Sequence, residues 1–81
     1  MMMMTMKVAI VEVGDLQSAR DLKESYEKLG AAVDTYIYER IISEIELKKE
    51  INQLSGFYDR VEIALPLPPH IRERELVKEE D

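Results

Sequence analysis

The clearest pattern in the chain lies at its beginning. Lys7 to Val13 reads KVAIVEV, with Val8, Ala9, Ile10 and Val11 consecutive and apolar. An unbroken, β-branched run of this length predicts a strand buried on both faces, as in a parallel sheet. Gly14-Asp15 ends it. From Leu16 to Leu29 the period changes. Ala19, Leu22, Tyr26 and Leu29 recur at helical spacing, with Arg20, Lys23, Glu24, Glu27 and Lys28 on the opposite face. This predicts an amphipathic helix. Asp15 is its best N-cap candidate, ahead of Ser18 and Asp21, and Gly30 stands where a C′ glycine belongs.

Ala32 to Glu39 alternates, with Val33, Thr35 and Ile37 against Asp34, Tyr36 and Tyr38. Alternation with an internal Asp predicts an edge strand with one wetter face. Ser43 to Ser55 predicts a second helix with a definite start. Ser43 and Glu46 form an S-x-x-E capping box, and Ile42 and Leu47 stand at staple positions. Leu47, Ile51 and Leu54 give its buried stripe, Ile45 widens it, and Gly56 ends it. Val61 to Leu65 predicts a third strand, which must stop at Pro66 because proline cannot donate to a ladder.

The order is therefore β-α-β-α-β. It predicts an α/β fold: a small three-stranded parallel sheet with right-handed crossovers. With the first strand central the order is 2-1-3, with helices on both faces. One α/β domain is expected over residues 7–71, after a disordered Met-rich start at 1–6 and before a charged tail or short helix at 72–81.

Composition narrows the functions. The chain has 81 residues, 46% of them hydrophobic and 35% charged, which suits one small globular domain and leaves no room for a separate cofactor domain. The net charge of −6 disfavours a nucleic-acid partner. With no Cys and one His, thiolate chemistry, disulfides and a metal site are not expected. No run approaches the roughly 18 apolar residues of a membrane span. All five Met precede Lys7, without the apolar core or cleavage site of a signal peptide, and read as a ragged start or an expression remnant. A cytoplasmic protein is the expectation.

Nucleotide-binding signatures fail. V-G-D-L-Q-S has one glycine where a dinucleotide fingerprint needs three, and no Walker lysine follows. Asp15 reads as a helix cap rather than an acid–base group. His70 has no partner triad. Tyr36 and Tyr38 read as packing at a sheet edge or subunit contact. The distinctive string is Ala64-Leu65-Pro66-Leu67-Pro68-Pro69-His70-Ile71. It carries a strand into stiff extended backbone at the carboxyl edge of the sheet, where ligands of open α/β folds bind.

V-G-D after the first strand, a helix ending K-L-G, and L-P-L-P-P-H-I together resemble the N-terminal, substrate-binding domain of methylenetetrahydrofolate dehydrogenase/cyclohydrolase, over residues 7–77. The resemblance implies that Leu65, Pro66, Leu67 and Pro68 are substrate-binding wall residues of a folate-type cleft. It also implies a Y-x-x-x-K pair on the first helix, with Tyr against the pterin and Lys for acid–base work. Counted back from Gly30 those positions are Ser18 and Leu22; counted forward from Ser18 they are Asp21 and Ser25. Lys23 is one residue away, about 100° around a helix. The family's Gln before L-P-L-P is Ala64. The family's D-V-D-G segment would fall beyond Asp81 and, like its dinucleotide-binding domain, is absent from these 81 residues.

The expectation is thus a non-catalytic remnant or fragment of that domain, with no catalytic residues, metal or cofactor, a folate-type ligand and a homodimeric state. The dimer follows from a small core and two open sheet edges. The alternative is a small protein-interaction module unrelated to folate.

Overall fold

The computed structural model describes residues 5–76, so the expectations for residues 1–4 and for the tail beyond 76 lie outside the described residues. Strands β1 (Lys7–Val13), β2 (Ala32–Tyr38) and β3 (Arg60–Ile63) alternate with helices α1 (Gln17–Lys28) and α2 (Glu44–Ser55), and a single turn, α3 (Glu73–Leu76), follows. The sheet is parallel in order β2-β1-β3, as the alternating pattern predicts. Val8 to Val13 is buried throughout because β1 is central and a helix covers each face.

The two faces hold separate cores. Val8, Ile10, Ala19 and Ala64 pack on the α1 side, with Leu16, Leu22, Tyr26 and Val33 around them. Val11, Val13, Leu47, Ile51, Ile71 and Leu76 pack on the α2 side, joined by Ile42, Leu54, Val61, Ile63 and Leu67.

Ser43 caps α2 as its sequence predicts, its hydroxyl accepting from the Glu46 N–H at 3.1 Å. Ile42 packs on the cluster containing Leu47, in keeping with the staple. Gly30 takes the left-handed conformation (φ +90°) beyond α1, where a residue with a Cβ would be strained.

Four local expectations are corrected. Asp15 does not cap α1; Leu16 occupies the N-cap position without a side-chain bond, and Asp15 pairs with Arg20. Leu29 is 80% exposed, because the helix ends at Lys28 and Leu29, at the C-cap, lies outside the α1-side core. Ile45 is 70% exposed, on the side of α2 away from Leu47 and Ile51. The third strand ends at Ile63 rather than Leu65, although the Ala64 N–H still donates to the Val11 carbonyl at 2.8 Å.

β2 is an edge strand, as expected. Its α2-side face carries Asp34, Tyr36 and Tyr38. Tyr58 meets Tyr36 edge-to-face at 5.9 Å between ring centroids. The Tyr36 and Tyr58 hydroxyls are bonded, and Tyr58 donates on to Asp34 Oδ2 at 2.6 Å. Those bonds hold the neutral phenol and raise the Tyr58 pKa, with the Asp34 bond contributing most. Tyr38 donates to Glu50 Oε1 at 3.3 Å, and burial followed by the Glu50 charge pushes its pKa up to about 12.

Candidate functional site at the carboxyl edge of the sheet

All three strands deliver their following segments to one edge. After β1 the chain turns at Gly14 (φ +85°), whose N–H donates to the Tyr38 carbonyl at 2.8 Å. A Cβ there would come within 3.3 Å of the Arg40 side chain, so a larger residue would be both strained and crowded.

Glu12, only 2% exposed, turns its carboxylate up from the strand and accepts from the Leu16 N–H at 2.7 Å. A strand carboxylate thus supplies the cap that α1 lacks from its own sequence. Sequence reasoning missed it because a Glu inside an apolar run reads as an interruption. The available signal was its position four residues before the helix entry.

The first turn of α1 then meets the proline segment. Ser18 Oγ donates to the Leu65 carbonyl at 2.5 Å, across 47 residues of sequence. Beyond Ala64 the chain crosses the edge as a strap with a cis Leu65–Pro66 peptide. The four residues expected to line a cleft divide. Leu65 is 46% exposed and Pro66 is exposed, so they face outward. Leu67 packs on the α2-side core and Pro68 is buried, so they anchor the strap.

The far end is fastened to the start of α2. His70 Nε2 lies 2.7 Å from the Ile42 carbonyl, and the Arg72 N–H donates to Glu44 Oε2 at 2.7 Å, with its guanidinium on the same carboxylate. The Arg72 N–H is the chief reason the Glu44 pKa lies below its usual 4.5, and the guanidinium adds to it. Ile71 and Leu76 drop into the core behind these ties.

The α1 positions to which the resemblance assigns Tyr and Lys hold other residues. Ser18 is engaged with Leu65. Leu22 packs in the α1-side core. In the alternative register, Asp21 accepts from the Gln17 side chain at 3.0 Å and Ser25 is exposed. Lys23 lies on the exposed face of α1, and Ala64 is fully buried. Among the described residues no group of His, Cys, Asp or Glu is arranged to hold a metal ion. No described helix is long and apolar enough to cross a membrane.

A second feature lies beside β2. Ile37, Tyr38, Glu39, Ile41, Ile42 and Glu46 line an open groove of about 410 Å³. Ile37 is 63% exposed and Ile41 85%. Neither residue belongs to the core cluster on either face of the sheet.

No protein-family model matches the chain, and no curated protein matches it. Solved structures do. A 5,10-methylenetetrahydrofolate dehydrogenase from the silkworm Bombyx mori is 26% identical, with a TM-score of 0.78 over 88% of this chain and 27% of that one. The bifunctional methylenetetrahydrofolate dehydrogenase/cyclohydrolase from Campylobacter jejuni is also 26% identical, with a TM-score of 0.70 over 86% of this chain and 27% of that one. The resemblance carried by L-P-L-P-P-H-I therefore extends to the whole β-α-β-α-β arrangement. This chain spans about a quarter of the length of either structure.

Proposed function

We propose that residues 7–71 form one module of the folate-enzyme substrate-domain type that performs neither dehydrogenase nor cyclohydrolase chemistry by itself. The reading includes a cytoplasmic setting and a homodimeric state. One observation carries it: counted back from Gly30, the two α1 positions that the resemblance assigns to Tyr and Lys are a serine tied to the strap and a leucine in the core. Proton transfer needs a titratable group within hydrogen-bond reach of the substrate, and neither residue supplies one. What the site retains is shape. Leu65 and Pro66 offer an apolar ledge suited to the face of a pterin-like ring, on a strap fixed by Ser18, His70 and Arg72. The module accordingly binds a folate-type ligand weakly and leaves it unchanged.

Incubation with 5,10-methenyltetrahydrofolate tests the chemical half of the proposal. Hydrolysis should match the protein-free rate. Turnover proportional to protein concentration and abolished by Lys23→Ala would overturn it, and would make Lys23 the acid–base group. A protein-interaction role is favoured by a separate observation, the exposed Leu29, Ile37 and Ile41 around the β2 edge.

A further inference from the structure

The two open edges of the sheet are not equivalent. β3 has only four residues, carries Arg60 and Glu62, and runs into proline. Short length, charge and proline are the usual guards of an exposed edge. β2 has seven residues, no proline and one charge, Asp34, which is held by the Tyr58 hydroxyl on the α2 face. The ladder to β1 uses the backbone groups of Ala32 and Tyr38. Alternation then points the N–H and C=O groups of Val33, Thr35 and Ile37 away from β1, towards the open side.

Three exposed apolar residues, Leu29, Ile37 and Ile41, and the half-buried Val33 flank this edge, symmetrically in sequence about Thr35. Val33 and Ile37 lie two residues to either side of it, and Leu29 and Ile41 six. A two-fold axis at Thr35, with two β2 strands antiparallel, sets Val33 opposite Ile37 of the second copy and brings Leu29 towards Ile41 of the second copy. Thr35 faces itself, and Asp34 faces Tyr36, so the two aspartates are not opposed. The pairing adds about six backbone hydrogen bonds, two for each of three facing pairs. The charges also agree: Glu39 and Glu46 line the groove beside Ile41, and Lys28 precedes the Leu29 that would enter it.

We infer that a second copy of this chain docks on the β2 edge, antiparallel about Thr35, with Leu29 of each copy beside Ile41 of the other. The surface is self-complementary, as a two-fold interface requires, and it removes the unguarded edge by joining two sheets into one of six strands. This inference rests on the homodimeric reading above and names its interface.

Sedimentation equilibrium of the purified chain tests it. The wild type should dimerise. Thr35→Pro removes an outward N–H without touching the internal ladder, and Ile41→Lys alters only an exposed side chain. Each should weaken the dimer at least about tenfold, while circular dichroism stays unchanged. Phe57→Lys, at an exposed position outside β2 and its groove, should have no effect. Leu29→Glu alone should weaken association, and combining it with Ile41→Lys should restore it through the new ion pairs. A monomeric wild type overturns the homodimeric reading itself. A wild-type dimer insensitive to Thr35→Pro and Ile41→Lys overturns this interface alone. A double variant no better than its parents overturns the register.

Discussion

Truncating Leu47 should cost the fold more than any change on the exposed side of the same helix. Leu47 is fully buried among Val11, Val13, Ile51, Ile71 and Leu76, and so joins α2 to the central strand and to the end of the strap. Leu47→Ala removes buried methyl groups and leaves a cavity whose walls come from three elements that cannot all close on it. The cost is about 2–5 kcal/mol. A domain of this size holds about 5 kcal/mol in total. A loss of about 3 kcal/mol lowers the ratio of folded to unfolded molecules about 150-fold. With a urea dependence of about 1 kcal/mol per molar, the unfolding midpoint should fall by about 3 M. Ile45, two residues earlier and exposed, is the internal control. Ile45→Ala should move stability by no more than about 0.5 kcal/mol. Urea denaturation followed by circular dichroism measures both. Equal shifts for the two variants would refute the assignment of the helix faces, and with it the packing of α2 over β1 and β3.

Three other outcomes follow from particular contacts. Ser43→Ala should cost about 1 kcal/mol in the same urea assay, because the Glu46 N–H loses its cap; an unchanged midpoint would contradict the capping geometry. Ser18→Ala should free the Leu65 carbonyl and speed amide hydrogen exchange in the strap from Leu67 to Ile71, while leaving β1 protected. Exchange unaltered in the strap would show that Ser18 does not hold it. The Glu44 pKa is depressed in the folded protein, so its contribution to stability is present above about pH 4.5 and fades as pH falls through the folded value. The gap in melting temperature between wild type and Glu44→Gln should therefore be widest near neutral pH and close in acid; a gap independent of pH would remove the ionic part of the Glu44–Arg72 tie.

The backbone plan was legible because it rests on periodicity. Four apolar residues in a row marked β1 as central, and the turn from an alternating to a helical period separated β2 from α2. The Ser43 cap was legible for a different reason: its donor and acceptor lie three residues apart, so sequence spacing determines their geometry. What periodicity does not contain is the course of a helix across the sheet. Leu29 and Ile45 both fit helical stripes, yet α1 ends before the one and α2 turns the other to solvent. The site was half legible. The prolines located the strap, but its fastenings join residues far apart in sequence: Ser18 to Leu65, Ile42 to His70, Glu44 to Arg72. Glu12 illustrates the same limit at short range, since only the fold reveals which nearby N–H its carboxylate will meet. Leu67 and Pro68 show how a motif can be recognised and its roles still divide, two residues turning outward and two inward.

The central claim, a binding ledge without acid–base machinery, is tested most directly by titrating isotope-labelled protein with 5-formyltetrahydrofolate and following the backbone amide resonances. The account predicts saturable shifts confined to Gly14, Ser18, Leu65, Leu67, His70 and Ile71, reduced by Leu65→Asp and unaffected by Ile41→Lys. Absence of any shift at millimolar ligand, or shifts centred on β2 and its groove instead, would contradict it.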